Sequence, residues 1–183
     1  MPRLADQWQR WRHRNSAVHR DALVALRTHA GLVIASAARI LGNIHDAEDV
    51  AQDIAERLLR SPPQSVRNWP AYLRTLSTNA AIDRLRKRRP SETTDQLIDP
   101  ATPESTIANE QQASALRDAI ATLSQKDATL FSLFYFADMG QAQIGEHFEM
   151  SENAVAVALH RIRQKLTTHI RTRLQLDADG AES

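Results

Sequence analysis

Apolar residues recur along most of the chain at intervals of three and four positions, which is the period of an α-helix. Between residues 22 and 41 the series contains Leu23, Leu26, Ala30, Val33, Ile34, Ala37 and Leu41. Gly42 and Asn43 interrupt it, and the segment from His45 to Arg60 continues with an apolar side made of Ala47, Val50, Ala51, Ile54 and Leu58. The pattern predicts two consecutive helices, each with one face directed at a core.

Two proline-rich segments divide the chain further. Residues 61–68, "SPPQSVRN", are predicted to form a loop because paired prolines cannot continue a helix. A long helix then begins at Trp69, with Pro70 in its first turn, and ends before Pro90. Its predicted buried face is Trp69, Leu73, Leu76 and Ala80. Residues 90–105, "PSETTDQLIDPATPES", contain three prolines and predict a flexible acidic linker at a domain boundary.

Helical segments also fill the part after the linker. Ser124 and Asp127 form a predicted capping box in front of "QKDATLFSLFYFA". Residues 174–183 are expected to be disordered. We find no uncharged apolar window of about 18 residues and expect no membrane span. The N-terminal "MPRLADQWQRWRHRN" lacks the apolar core of a secretory signal. The fold class predicted is all-α, with two helical domains.

The short segment "GQAQIGEHF" and the long segment from Ser151 form a candidate helix-turn-helix. Ile144 and Phe148 anchor the first helix, and Ser151 is a suitable N-cap for the second. The second helix has a predicted buried face of Val155, Leu159, Ile162 and Leu166. The positions that can reach DNA bases are Asn153, Ala156, Val157, His160, Arg161 and Gln164, and those suited to phosphates are Arg163, Lys165, His169, Arg171 and Arg173. A helical hairpin used only for packing is the alternative.

The net charge of +1 conceals a difference between the two halves. Residues 1–89 contain 16 Lys and Arg against 8 Asp and Glu, whereas residues 90–183 contain 7 against 14. An excess of positive charge in the first half suggests a polyanionic partner, although an arbitrary solvated surface explains it equally well.

A basic cluster ends the helix that begins at Trp69. Its members are Arg84, Arg86, Lys87, Arg88 and Arg89. Cations at a helix C-terminus are favoured by the helix dipole in any case, but such a cluster also suits DNA phosphates. Asn79 and Arg86 project on one side, with Asp83 one turn after Asn79, and this mixture of groups suits base reading.

An acidic stripe runs along the helix from His45 to Arg60, well away from its apolar face. It consists of Asp46, Asp49, Asp53 and Glu56. Three interpretations are open: a solvated helix face, a divalent-metal site, or a docking surface for a basic protein. We find no second acidic element that would complete a metal site.

Four segments follow one another along the chain: the acidic "DAEDVAQD", then "WPAYLRTLSTNAAIDRLRKRR", an acidic linker and the helix-turn-helix. In this order they resemble the corresponding segments of bacterial sigma factors of the extracytoplasmic-function (ECF) group of the sigma-70 family. The resemblance covers roughly residues 20 to 170. It implies a basic N-terminal extension at 1–20, sigma domain 2 at 21–89, a linker at 90–105, sigma domain 4 at 106–173 and a tail at 174–183. It further implies a cytoplasmic, non-catalytic specificity subunit without cofactor or metal, which directs RNA polymerase to promoters with −10 and −35 elements and helps to melt them.

The resemblance also implies roles for particular residues. Core RNA polymerase is bound through the clamp helices of its largest subunit and through the flap, and the clamp-binding positions are Asp46, Glu48, Asp49, Gln52 and Asp53. The −10 element is read by Asn79, Asp83, Arg84, Arg86, Lys87, Arg88 and Arg89, with residues 61–68 capturing a flipped base. The −35 element is read by Ser151, Asn153, Ala156, Val157, His160, Arg161, Arg163, Gln164 and Lys165. The resemblance also implies an anti-sigma factor as a further partner, and it implies no membrane insertion.

The chain departs from the family pattern at three places. The turn residue before the recognition helix is usually Gly, and here it is Glu149, which carries a penalty of roughly 1 kcal/mol if the backbone is left-handed there. The recognition helix contains "AVAVA", Ala154 to Ala158, so hydrogen-bonded base readout is weak and shape and phosphate contacts carry more of it. The loop at 61–68 lacks the usual Gly and aromatic residues.

Other residue types limit the alternatives. The chain contains no cysteine, which excludes disulfides and thiolate sites and fits a reducing cytoplasm. Its seven histidines show no metal-site spacing. Trp8 and Trp11 in the N-terminal extension are expected to pack on sigma domain 2, or else to bind nucleic acid or a protein. The competing functions are a stand-alone helix-turn-helix DNA-binding transcriptional regulator, a scaffold with degenerate DNA contacts, and a metal-dependent hydrolase using Asp46, Glu48, Asp49 and Asp53.

Overall fold

The computed structural model describes residues 4–88 and 103–180, with side chains described for residues 19–88 and 109–172. Within these ranges the chain forms seven α-helices and contains no strand. The all-α prediction is confirmed. Arg89 and most of the expected linker lie outside the described residues.

Three helices form the first domain. They are α1 (Leu4–Leu41), α2 (Ile44–Arg60) and α3 (Trp69–Lys87). Helix α1 is kinked at His29, where the backbone leaves helical geometry, and it packs against both α2 and α3. The Asn43 side chain caps α2 by accepting hydrogen bonds from the backbone N–H groups of His45 and Asp46, at 2.8 and 3.3 Å. The short turn between α1 and α2 is therefore fixed by side-chain capping.

The predicted faces of α1 and α2 largely match the core. Ala47, Val50, Ile54 and Leu58 are buried on α2, and Val33, Ala37 and Leu41 on α1. Leu23 is different, because 44% of it is exposed. The N-terminal extension continues α1 as backbone helix from Leu4, but the side chains of Trp8 and Trp11 lie outside the described part of the chain.

The segment His19–Leu41 of α1 is long and apolar enough to cross a membrane by composition alone, although it contains charged residues such as Arg27 and is therefore not an uncharged window of the kind excluded from the sequence. A core helix passes the same test. In this segment Val33, Ala37 and Ile40 are fully buried, and α1 packs against α2 and α3. We therefore interpret the segment as a core helix.

Helix α3 is buried on more than the one face that its apolar spacing predicted. Leu73 is buried as expected, but Trp69, Leu76 and Ala80 are only partly buried. The additional buried residues are Thr75, Ser77, Thr78, Ala81, Ile82 and Leu85. Helix α3 contacts α1 and α2 on one side and the second half of the chain on the other. This placement explains why polar groups are buried there, such as the Ser77 hydroxyl, which donates to the Val33 carbonyl at 2.6 Å.

Four helices form the second domain. They are α4 (Pro103–Thr122), α5 (Gln125–Tyr135), α6 (Gln141–Phe148) and α7 (Glu152–Gly180). The Ser124 hydroxyl accepts from the Asp127 N–H at 3.1 Å, so the predicted cap of α5 is confirmed. Helix α4 includes the last residues assigned to the linker, because Pro103 fits a first helical turn.

The predicted disordered tail is wrong for residues 174–180, which continue α7 as backbone helix. The segment from Thr167 to Leu176 contains good helix formers and no Gly or Pro. Nothing in that composition ends the helix until Gly180.

The two domains share one continuous set of buried apolar residues. At one end of the contact Arg117 of α4 lies against Gly42, where an added Cβ would stand 2.6 Å from the guanidinium. Gly42 also has φ +69, a conformation that glycine adopts without strain. Burial lowers the pKa of Arg117, and the charge of Asp118 opposes that shift; the guanidinium stays protonated.

Candidate nucleic-acid interface and acidic surface

The turn between α6 and α7 has the geometry of a helix-turn-helix. The Met150 N–H donates to the Gly145 carbonyl at 2.8 Å, which closes the turn. A Cβ added at Gly145 would lie 2.5 Å from the Met150 carbonyl oxygen, so the two backbones meet at a distance that only glycine allows. Ile144 and the predicted face Val155, Leu159, Ile162 and Leu166 are buried, which confirms the predicted packing. The Ser151 hydroxyl accepts from the Ala154 N–H at 3.2 Å, as predicted for an N-cap.

Glu149 occupies the left-handed region of the backbone at this turn, with φ 55 and ψ 43. The strain expected from the sequence is therefore present. Since glycine adopts this conformation readily, we expect Glu149→Gly to raise the free energy of unfolding by about 0.5–1 kcal/mol. Thermal or urea unfolding of the purified chain measures it.

The matched control is Glu146→Gly in the helical interior of α6. That substitution should lower stability by about 1 kcal/mol, because glycine is a poor helix former. An equal loss for both variants would contradict the assigned strain.

The outer face of α7 is open to solvent where base reading was predicted. The exposed positions are Asn153, Val157, His160, Arg161, Arg163, Gln164 and Lys165, while Ala156 is half-buried. Val157 is 54% exposed, an unusual position for a valine. Further along, an open groove is lined by Arg161, Gln164, Lys165, Thr168, His169 and Thr172.

Three of these side chains have partners within the second domain. The Lys165 ammonium lies 2.9 Å from the Asp127 carboxylate, and Gln164 is hydrogen-bonded to the His160 ring at 3.1 Å. The Lys165 side chain is 58% exposed beside this ion pair, and its ammonium has three donors, so it can still offer an N–H group to a phosphate.

Helix α2 carries an exposed acidic surface, which we define as Glu48, Asp49, Gln52, Asp53 and Glu56. Asp46 does not belong to it, because the side chain is only 21% exposed. The Arg84 guanidinium donates to Asp46 Oδ1 through Nε at 2.9 Å and Nη2 at 2.7 Å, and Nη2 also reaches Asp49 at 2.6 Å. Arg88 pairs with the other Asp46 oxygen and donates to the Leu41 carbonyl at 2.9 Å.

This network joins residues that the sequence assigned to two separate surfaces. Asp46 and Asp49 were placed on the polymerase-binding side, and Arg84 and Arg88 on the DNA-binding side. The structure brings them together across 38 residues of chain between Asp46 and Arg84. Arg84 and Arg88 thus hold α2 on α3 in this arrangement.

We expect Arg84→Ala to lower the free energy of unfolding by about 1–2 kcal/mol, since it leaves the half-buried Asp46 carboxylate with one fewer charged partner. Chemical denaturation measures the change. Lys87→Ala is the matched control on the same helix, where the side chain is exposed. Unchanged stability of the Arg84 variant would show that the network does not hold the two helices together.

Asn79 and Arg86 project on one side of α3, as predicted, but the second domain lies on that side. The Thr129 hydroxyl donates to Asn79 Oδ1 at 2.7 Å, and Arg86 Nη2 donates to the Leu123 carbonyl at 2.8 Å. Asp83 and Lys87 are exposed. In the loop at 61–68, Asn68 accepts from the Ala71 N–H at 3.1 Å and thereby caps α3.

Among the described side chains, no group of three or more His, Cys, Asp or Glu residues is arranged to hold a metal ion. A contact that sequence reasoning missed is the ion pair between Arg39 and Asp138, at 2.6 Å. Nothing in the helical periodicity of α1 signals it, because Arg39 is exposed and its partner lies 99 residues away.

Comparison with known proteins supports these features. Residues 25–90 match the model of sigma-70 region 2, and residues 113–166 match that of sigma-70 region 4. The ECF RNA polymerase sigma factor SigW of Bacillus subtilis is 28% identical over 149 residues, which cover 73% of this chain and 80% of SigW. SigF of Caulobacter vibrioides, also an ECF RNA polymerase sigma factor, is 29% identical over 167 residues, covering 86% of this chain and 88% of SigF. The crystal structure of Mycobacterium tuberculosis SigJ aligns with a TM-score of 0.41 at 23% identity, over 78% of this chain and 51% of SigJ, a likeness too remote to bear on how the helices lie.

The first domain has an acidic face and matches sigma-70 region 2, and the second contains a helix-turn-helix and matches sigma-70 region 4. Together the two domains define a transcription initiation factor. The chain belongs to the sigma-70 family and, within it, to the extracytoplasmic-function group. It is an alternative sigma factor that directs RNA polymerase to promoters, and the stand-alone regulator is not favoured. Membership implies binding to core RNA polymerase and to promoter DNA.

Proposed function

We propose that the acidic surface of α2 binds core RNA polymerase at the clamp helices of its largest subunit. The observation that supports this is the exposure of Glu48, Gln52 and Asp53 beside the Asp46–Arg84 network. The pairs with Arg84 and Arg88 neutralise the charge of Asp46, whereas Glu48 and Asp53 keep their negative charges exposed. Helix α2 therefore presents a negative surface to a basic partner. Asp46 then acts by positioning α2, and Asp49 belongs to both the network and the acidic surface.

Recognition of the −35 element is assigned to the exposed face of α7. The groups that can hydrogen-bond bases are few: Asn153, His160, Arg161 and Gln164. Val157 can contact a thymine methyl, and Arg163 and Lys165 can bind phosphates. Because Ala154 to Ala158 offer no side-chain donor or acceptor, shape and phosphate contacts supply much of the specificity.

Recognition of the −10 element is assigned to the loop at 61–68 and to the outer side of α3. Capture of a flipped base would cost a few kcal/mol in unstacking, and Gln64, Ser65 and Arg67 of the loop are exposed for it. Asn79, Asp83, Arg86 and Lys87 supply the polar groups of the helix. Arg84 and Arg88, paired with Asp46, support the helix position in addition to any contact with phosphate.

The chain acts without chemistry of its own, in the cytoplasm, as a specificity subunit. An anti-sigma protein is proposed as the partner that holds it when it is not needed, with flap binding by the second domain as a further contact to polymerase. Both partners are proposed from family membership alone.

Run-off transcription with purified core RNA polymerase and a promoter library tests the proposed function. We expect transcripts from a subset of promoters that share a two-part element, and none without the chain. DNA binding by the chain alone together with no transcript in the presence of core polymerase would contradict it and would favour the stand-alone regulator.

A further inference from the structure

Two large apolar side chains are exposed on α2, one near each end of its acidic surface. Ile44 is 39% exposed and Leu59 is 49% exposed. Single exposed apolar residues are ordinary on a soluble protein. These two differ from scattered ones because both stand in line with residues of the acidic surface.

Helical spacing places the two apolar residues in one row. Ile44, Glu48 and Gln52 follow one another at intervals of four residues, and Leu59 comes seven residues after Gln52. Side chains four or seven positions apart lie on the same side of an α-helix. The row therefore runs about 22 Å along the helix axis, with an apolar side chain at each end and polar groups between them. We call Ile44, Glu48, Gln52 and Leu59 the outer flank of α2.

The outer flank lies on the side of α2 that faces away from α3. Asp46 and Asp49 mark the side that faces α3, since both bind the Arg84 guanidinium, at 2.7 and 2.6 Å. At about 100° per residue, the mean direction of Ile44 and Leu59 is turned by about 140° from that of the two aspartates. The Glu48 side chain is 60% exposed. A partner can therefore reach the outer flank without displacing the ion pairs that hold α2 on α3.

The outer flank suits a basic helix better than it suits a second copy of this chain. Two copies meeting through it would bring their Glu48 carboxylates together, and like charges across an interface are unfavourable. A helix with lysine or arginine between two apolar side chains would meet opposite charge in the middle of the row and apolar surface at both ends. Burial of the apolar ends stabilises such a complex in a way that salt does not screen.

We propose that Ile44 and Leu59 are apolar anchors for core RNA polymerase, seated against a polymerase helix that carries basic residues between two apolar ones. This inference rests on the proposed function, in which the acidic surface binds that partner. The affinity then has two parts. The part from the carboxylates falls as salt rises, and the part from the two anchors remains.

Truncation of both anchors tests the inference. We expect Ile44→Ala/Leu59→Ala to weaken binding to core RNA polymerase about thirtyfold, the size expected when the exposed halves of two such side chains are buried in the complex. The loss should be equal at low and at high salt, whereas the loss caused by reversing the charges of Glu48 and Asp53 should shrink as salt rises. Fluorescence anisotropy with labelled chain measures both. Val24→Ala is the matched control, because Val24 is 59% exposed on α1, and it should bind like the wild type.

A second variant separates lost contact from lost stability. Leu59→Gln keeps the length of the side chain and its helix propensity, and it should weaken binding as much as Leu59→Ala does. Its free energy of unfolding, measured with urea, should stay close to that of the wild type.

Two results would overturn the anchors. One is an Ile44→Ala/Leu59→Ala variant that binds core polymerase like Val24→Ala at both salt concentrations, while charge reversal at Glu48 and Asp53 still weakens binding. The other is a dimer of the free chain, seen by sedimentation, that Leu59→Gln dissociates without changing the affinity for core polymerase. Charge reversal without any effect would instead contradict the proposed function of the acidic surface.

Discussion

Reversing the charge of the acidic surface with Glu48→Arg and Asp53→Arg should weaken binding to core RNA polymerase by about a hundredfold or more. Like charges placed together across an interface cost several kcal/mol, and about 1.4 kcal/mol corresponds to a tenfold change in affinity. Both side chains are exposed on α2, so the substitutions should leave the fold intact. Fluorescence anisotropy with labelled chain and purified core polymerase measures the dissociation constant.

The choice of residues matters because of the ion pairs with Arg84. Changing Asp46 or Asp49 would break contacts between α2 and α3 and would confuse instability with lost binding. Glu110→Arg is the matched control: it is an exposed charge reversal at the second domain, far along the chain from α2. If the Glu48/Asp53 double variant and this control bind core polymerase alike, the acidic surface is not the docking surface.

Gly145→Ala should unfold or distort the helix-turn-helix and abolish its DNA binding. The added Cβ would stand 2.5 Å from the Met150 carbonyl oxygen, and backbone cannot move aside as a flexible side chain can. Overpacking of this kind costs about 1–3 kcal/mol in stability. Because the clash lies in the turn between α6 and α7, it should also change the angle between these two helices. Urea unfolding and binding to promoter DNA carrying the −35 element measure the two effects.

Gly140→Ala provides a control with the same chemical change. A Cβ at Gly140 would meet its nearest neighbour, the Gln143 side-chain oxygen, at 3.9 Å, and φ is −67 there. This variant should keep both stability and DNA binding. Wild-type behaviour of Gly145→Ala would show that the close approach of the two backbones does not hold the turn.

Sequence patterns predicted best the helices that bury a single face. Helices α2 and α7 have one apolar side each, and residues such as Val50 and Ile162 lie in the core as the spacing required. Capping was equally predictable, because Ser124 and Ser151 act on N–H groups three residues ahead. These features depend on local geometry alone.

Contacts between distant segments could not be predicted in the same way. Helix α3 lies between the other helices of the first domain and the second domain, so residues on both of its sides are buried. Thr78 and Ala81 are buried, although the apolar spacing along α3 did not predict it. The pairing of Arg84 with Asp46 was hidden, because each charge also fitted a separate binding surface. The docking of α5 on Asn79 depends on tertiary packing that no helical period encodes.

Site-specific photo-crosslinking from Gln52 tests the polymerase-binding surface most directly. Gln52 is exposed and uncharged in the middle of the acidic surface, so a photoreactive residue there changes no charge. We predict that irradiation of the chain bound to core RNA polymerase attaches it to the largest subunit, and that the same probe at Glu110 does not. Attachment from Glu110 but not from Gln52, in a complex that still initiates transcription, would contradict the assignment of α2.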